Sequence, residues 1–370
     1  MNILRRLPLS RLLLLCTLVI ALGASATALA YALGTGPTPP AKPLAQAVHD
    51  ALGANGGQAS EGVTARVTLT NHLLEGANLA TGGNTGELAS NPLLTGASGR
   101  LWVAKDGDVR IELDAEKGDT EIYYDGQTIS VYDTATNTLY RYTPTDHETT
   151  SEPSTSAGDR GVPSVAKIEE AISKLERHAD VSGATPTDVA GQPAYTVRVS
   201  PQEGGSLLGG AELSFDANTG VPLRAAIYSA DSSSSPVIEL AATEVTYGPV
   251  SGSVFEFTPP ANAKTENISP PSHHPSKPAS SRSAAGKPEI TSEGHGLSSV
   301  AVLESNASAS GEKSTENPLE GLPQVSINGV EASELRTELG TVLSFERSGV
   351  RYVLAGSVAP SAIEALARGL

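Results

Sequence analysis

The sequence has one cysteine, Cys16, and it lies inside an uncharged apolar run near the N-terminus. The rest of the chain can form no disulfide, so its stability has to come from an ordinary packed core. Basic clusters are also lacking. Lys and Arg number 25 against 41 Asp and Glu, a net charge of −16, and three of the arginines (Arg5, Arg6 and Arg11) belong to the N-terminal segment. Without them the remainder carries 22 basic and 41 acidic side chains. A nucleic-acid partner is excluded, because phosphate binding draws its affinity from clustered Lys and Arg. An acidic lipid surface would repel such a chain as well.

Catalytic and metal signatures are absent too. None of the seven histidines is spaced with a carboxylate or a second ligand, and the adjacent pair His273 and His274 sits in a Pro/Ser-rich stretch that fixes no geometry. Asp106, Asp108, Asp114, Glu116 and Asp119 lack the regular oxygen spacing of a calcium loop and read as turn residues. No Gly-x-Ser-x-Gly elbow occurs, and the glycine pairs at 204–205 and 209–210 are not followed by the lysine of a phosphate loop. The chain is read as a non-enzyme with no cofactor.

What is present begins with residues 12–34, an apolar run behind three arginines that leads into the Pro/Thr spacer 35–40. This is the layout of an export signal, which places everything after it outside the cytoplasm. Small residues at 28 and 30, and at 30 and 32, offer cleavage sites and a secreted or periplasmic product. About 20 apolar residues also suffice to span a bilayer, which would leave a membrane anchor with the bulk of the protein outside. Both readings stay open. A lipoprotein cleavage at Cys16 is disfavoured by the bulky Leu15 before it.

Along the exported part, Leu44, Ala47, Val48, Ala51 and Leu52 recur at helical spacing, and Gly53 follows as a stop. From residue 61 the period changes to two. Val63, Ala65, Val67 and Leu69 alternate with Thr64, Arg66, Thr68 and Thr70, which predicts a strand with one buried face. The same pattern recurs at 100–104, 109–114, 121–124, 128–132 and 138–142, with turn residues between, so an antiparallel meander is expected. A polar stretch at 143–161 reads as a surface loop. A helix follows, opened by Pro163 and Ser164 with Val165, Ile168, Ile172 and Leu175 on one side. Further strands are expected at 194–200, 211–216, 222–229, 237–247 and 254–257. So long a sheet with two helices will curl and take the helices on its inner face.

The domain layout that results is 1–34 as signal or anchor, 40–260 as the sheet domain, 261–296 as a Pro/Ser-rich linker and 297–370 as a small α+β domain. The last has a strand at 298–304, a hairpin at 341–346 and 350–355, a polar insert at 306–317 and a terminal helix bearing Ile363, Leu366 and Leu370. At about 70 residues it is small enough for the first domain or a partner to contribute to its stability.

Alternation puts Val109, Ile111 and Leu113 on one face and Arg110, Glu112 and Asp114 on the other, so the inner face is aliphatic. Trp102, Tyr123, Tyr124, Tyr132, Tyr140 and Tyr142 concentrate in the same strands. They serve either as cross-strand packing or, in part, as cavity walls for an apolar guest with a polar head.

Three phrases carry a resemblance: VAGQPAYTVRV at 189–199, FDANTGVPL at 215–223 and VFEFTPP at 254–260. In that order near the end of the sheet they resemble the LolA-like superfamily of extracytoplasmic carriers, which includes lipoprotein-sorting proteins and RseB-type periplasmic regulators. The C-terminal segment is similar to small hairpin-plus-helix domains appended to some exported actinobacterial-type members. The resemblance implies an α+β fold: a strongly curved antiparallel half-barrel with helices on its concave face, holding lipid or lipoprotein acyl chains. Each methylene moved out of water is worth about 0.8 kcal/mol, so a long chain can bind with no specific polar contact. The inward positions chosen as candidate lining are Val67, Leu69, Val103, Ile111, Leu113, Ile122, Tyr124, Val197, Leu213 and Phe215. The alternative is an RseB-like sensing role, in which the second domain contacts a membrane protein.

Overall fold

The computed structural model describes residues 36–54, 61–75, 91–116, 118–144, 162–268, 289–306 and 322–370. The N-terminal apolar run, His273 and His274, and most of the polar stretches at 143–161 and 306–317 lie outside these residues. Among the described residues no helix is long and apolar enough to cross a membrane.

The first sheet begins with β1 (Gly62–Asn71) and the meander β2 (Ala97–Ala104), β3 (Val109–Ala115), β4 (Gly118–Tyr124), β5 (Ile129–Asp133) and β6 (Thr138–Tyr142). It continues with β7 (Ala179–Val181), β8 (Thr185–Val189), β9 (Gln192–Pro201), β10 (Leu208–Asp216), β11 (Pro222–Ser229), β12 (Ile238–Tyr247) and β13 (Lys264–Ile268). The spatial order is β13-β6-β5-β4-β3-β2-β1-β12-β11-β10-β9-β7, with β8 also on β9. Every pairing is antiparallel except β13 on β6. The path is open, not closed into a barrel.

Short aspartate-headed turns make the meander possible. Asp125 Oδ1 accepts from the N–H groups of Gln127 and Thr128 at 3.0 and 2.7 Å, and Asp133 Oδ1 from that of Ala135 at 2.9 Å. These side chains satisfy backbone donors that a two-strand ladder leaves free. The N–H groups of Thr128 and then Gln127 hold the Asp125 carboxyl below its ordinary range.

Register then sorts the side chains. Val197, Leu213, Ala225, Leu240, Leu69 and Ala97 lie directly opposite one another across six strands, and Leu101, Ile111, Ile122, Val131 and Tyr140 across five. Residues directly opposite share a face, so one side of the sheet is continuously aliphatic. Helix α1 (Leu44–Gly53) seats Leu44, Ala47 and Ala51 against Tyr195, Val197 and Phe215 of that face. Tyr195 Oη donates to Pro40 O at 2.6 Å, pinning the chain that enters the helix. The short helix α2 (Pro92–Thr95), which periodicity did not reveal, brings Leu93 onto Ala65, Val67 and Leu113. Helix α3 (Val165–Leu175) is capped by Ser164 and packs beside α1.

Two expectations need correcting. The stretch 254–257 is not a strand but follows a 3₁₀ turn at Gly252–Val254. Its alternation serves a different purpose: Phe257 stacks on Tyr123 at 4.4 Å between ring centroids and lies against Tyr132 at 5.6 Å, while Arg110 Nη1 donates to Val254 O at 2.8 Å. The chain thus crosses the polar face before adding β13 to the edge. The composition-based linker at 261–296 is also interrupted, because Lys264–Ile268 belongs to the first sheet and Glu289–Glu293 to the second. Strand pairing needs only backbone groups, so polar side chains did not announce it.

The second sheet runs β14 (Glu289–Glu293), β15 (Val300–Asn306), β19 (Val350–Gly356), β18 (Thr341–Arg347), β17 (Val330–Arg336) and β16 (Gln324–Ile327). The β16–β17 hairpin turns on Asn328 and Gly329, both with positive φ. Helix α4 (Pro360–Gly369) covers this sheet, burying Ile363 and Ala367 with Val302, Leu343, Phe345 and Leu354. Contacts with the first sheet are polar: Leu207 N–H donates to Ser357 O at 2.8 Å, and the Ser206 and Ser357 hydroxyls are 3.1 Å apart. Among the described residues the two cores share no apolar cluster. Leu354→Ala is therefore expected to cost about 2–5 kcal/mol and to lower one of two calorimetric transitions while leaving the other in place. A single transition that shifts as a whole would contradict separate cores.

Candidate functional site

The aliphatic face is hollowed into a cavity of about 460 Å³ at the start of β1. Val63, Ala65 and Val67 form its floor, Leu101 and Val103 one side, Leu240, Ala242 and Val245 the other, with Leu223 and Ala225 of β11 beyond them and Gly220 and Val221 of the β10–β11 turn at its edge. Its one charged wall residue, Arg224, has its guanidinium engaged elsewhere. Arg224 donates to Glu212, Glu239 and Tyr228 at 2.8, 2.8 and 3.0 Å. The cavity surface is left to aliphatic groups and backbone.

The phrase FDANTGVPL builds the turn at the cavity edge. Buried Asp216 accepts from the N–H groups of Asn218 and Thr219 at 2.7 and 2.9 Å through Oδ1, and from Tyr247 Oη at 2.7 Å through Oδ2. Burial, with this carboxylate as neighbour, pushes the Tyr247 phenol well above its ordinary range, so it stays a donor. Gly220 has φ +71°, and a Cβ there would sit 2.3 Å from Ala51 O at the end of α1. Only glycine lets turn and helix approach so closely. Pro222 and Leu223 then enter the cavity wall. The phrase VAGQPAYTVRV supplies the β8–β9 turn at Ala190 and Gly191, both with positive φ, and the buried Tyr195.

All ten candidate positions lie on the aliphatic face by register, but they do not form one site. Val67 and Val103 line the cavity. Leu113 is buried beside Ala65 and Val67, with Leu69 and Ile111 packed around them. Val197 and Phe215 are covered by α1. Ile122 is half-buried, whereas Tyr124 and Leu213 are open to solvent at 37% and 44% exposure. The candidate set omitted Leu223, Ala225, Leu240, Ala242 and Val245. The alternation of Leu240 and Ala242, and the Val-Pro-Leu ending of the turn phrase, were the available signals. Of the aromatic group, Trp102, Tyr123 and Tyr132 fall on the polar face and Tyr124, Tyr140 and Tyr142 on the aliphatic one.

Residues 87–149 match the family described as predicted periplasmic protein DUF2092. The chain lies outside the cytoplasm. Among curated proteins no sequence matches it. Solved structures with similarity include the MucA/MucB complex of Pseudomonas aeruginosa, at 16% identity and a TM-score of 0.42, covering 88% of this chain and 96% of that one. An uncharacterized conserved protein of Thermus thermophilus gives 11% identity and 0.36, over 60% of this chain and 99% of its own. A LolA superfamily protein of Nitrosomonas europaea gives 9% and 0.19, over 85% and 91%.

On the polar face, Glu212 receives Arg224 at 2.8 Å, Tyr228 at 2.7 Å and Arg198 at 3.3 Å. Burial opposes its ionisation, but hydrogen bonds from Arg224, Tyr228 and Arg198 outweigh it and hold the carboxyl below its ordinary range. A depressed carboxyl stabilises the fold at pH values above the unfolded pKa of about 4.3, and this is lost as pH falls through the folded value. Glu212→Gln is accordingly expected to lower the melting temperature at pH 7 and to flatten its decline below about pH 4.5. An unchanged acid limb would show that Glu212 carries no such linkage.

Proposed function

We propose that this protein binds a lipid or lipoprotein acyl chain within the concave side of a half-barrel, as a non-enzymatic carrier or binding protein of the cell envelope. The observation that carries the reading is the cavity of about 460 Å³, walled by Val63, Val67, Leu101, Val103, Leu240 and their neighbours with no free charge. A pocket of this size and lining falls in the range of small-molecule sites. An aliphatic guest gains from burial alone, while a polar head would stay in solvent at the mouth. Helices α1 and α2 on the same face fit the half-barrel arrangement. Val67 and Val103 are proposed as contact residues together with Leu223, Ala225 and Leu240. Val197 and Phe215 support α1.

A second reading, a regulatory protein of the RseB type that holds a membrane partner, is favoured by one feature. The second domain meets the first through Ser206, Leu207 and Ser357, at the end of the sheet away from Val63 and Pro222, so a partner could engage it without closing the cavity.

Titration of the full chain with a fluorescent long-chain fatty acid tests the first reading. Ala225→Trp, which fills the cavity, and Val103→Asp, which places an unpaired charge on its wall, should each weaken uptake about tenfold or more. Leu213→Asp, at a solvent-open position, should leave it unchanged. Uptake indifferent to Ala225→Trp in a folded protein would remove the cavity from consideration.

A further inference from the structure

We infer that the polar face over β12, β1 and β2 is a binding trough for an anionic polysaccharide. The inference stands apart from the acyl-chain reading, since it concerns the opposite side of the sheet. Arg66 and Arg100 face each other directly in register across β1 and β2, with Thr64 opposite Trp102 and Thr68 opposite Ser98. Two adjoining hollows, of about 170 and 300 Å³, share both arginines as walls. Like charges directly opposite on a sheet are destabilising, and the carboxylates in register on either side, Glu244 next to Arg66 and Glu112 next to Arg100, offset this only in part, since Glu112 is paired with Arg110.

Among the described residues, three other arginines of the sheet are paired with carboxylates, whereas Arg141 on β6 is not. Arg110 is held by Glu112 and Glu121, Arg198 by Glu212, and Arg224 by Glu212 and Glu239. Among the described residues Arg100 makes no ion pair. Arg66 has only Glu244 at 3.0 Å, with the two side chains 61% and 71% exposed. An exposed pair of that kind is worth about 0–1 kcal/mol and exchanges readily for a better anion. A carboxylate seated between the two guanidinium groups would satisfy both forks.

The surrounding groups select the rest of the ligand. Thr64, Thr68, Ser98, Thr243 and Thr246 offer hydroxyls that both donate and accept, which suits a polyol. Trp102 supplies an aromatic wall for the carbon face of a ring, with the Arg110 guanidinium 5.7 Å from its ring centroid. Asp114 and Glu244 at the margins accept from hydroxyls and repel densely charged chains, so the charges of the ligand must be sparse and spaced. Along β1 the distance from Thr64 to Thr68 is on the order of 13 Å, which calls for an extended chain and not a compact ion.

Trp102 is the only tryptophan, so its emission reports on the trough directly. The full chain would be titrated with polygalacturonate, with dextran and polyglutamate as comparators, and retention on immobilised polygalacturonate measured in parallel. The expected result is a saturable emission change with polygalacturonate alone. It should weaken at least tenfold in Arg100→Gln and in Arg66→Gln, be largely kept in Arg100→Lys, and leave melting temperature and fatty-acid uptake unaltered. Binding of dextran equal to that of polygalacturonate would overturn the proposal, as would equal binding of polyglutamate, which needs charge alone. So would resin retention with a silent Trp102, an undiminished response in Arg100→Gln, or no binding at all.

Discussion

Both faces of this protein depend on the position of one strand. β1 is inserted between β2, its successor, and β12, the last antiparallel strand of the sheet, and so joins two runs of chain far apart in sequence. A register shift between Arg66 and Val67, where Thr243 is the extra residue of β12, keeps Ala65 opposite Val245 and Val67 opposite Ala242. Val63, Ala65 and Val67 thereby reach the cavity, and Thr64, Arg66 and Thr68 the polar side. Because side chains alternate with period two, a slip of one residue would exchange the two sets and bury the arginine. The hydrophobic pattern of the central strand is therefore the term that fixes register for its neighbours.

What lies around β1 supports this arrangement without reaching into the cavity. Helix α1 and the β10–β11 turn are brought together at Gly220, so the turn that edges the cavity rests against the helix that packs on the sheet. On the other side Phe257 and Arg110 tie the returning chain across β3–β5, and the Arg224–Glu212–Arg198 network does the same for β9–β12. Partly buried charge in the Glu212 network is satisfied on several sides, whereas Arg110 Nε is buried with no hydrogen-bond partner. The second domain has its own core and a polar contact with the first, so the cavity is complete without it.

Much of this was legible in the residues. The meander at 100–142, the strands at 194–247 and both longer helices of the first domain follow from the period of apolar residues. So does the terminal helix with Ile363. The aliphatic face was legible too, since alternation alone assigned all ten candidates to it. What periodicity cannot convey is which aliphatic positions are covered. Val197 lies under α1 and Val103 opens on the cavity, yet both sit in similar strand contexts, and only the approach of α1 and the 217–222 turn separates them. Strands β13 and β14 were missed because their pairing uses backbone groups within polar sequence. The β16–β17 hairpin carried a usable signal in Asn328-Gly329 that composition overshadowed. The 254–257 stretch misled because its two phenylalanines mimic a strand while Phe257 packs on tyrosines of the far face.

The central claim is that the cavity holds an acyl chain. Native mass spectrometry with lipid extraction, on protein purified from a membrane-containing expression host, tests it most directly. The account predicts bound lipid in near-stoichiometric amount that is lost in Ala225→Trp. Protein that emerges lipid-free, or lipid that persists undiminished in that variant, would contradict it and turn attention to the partner-binding reading.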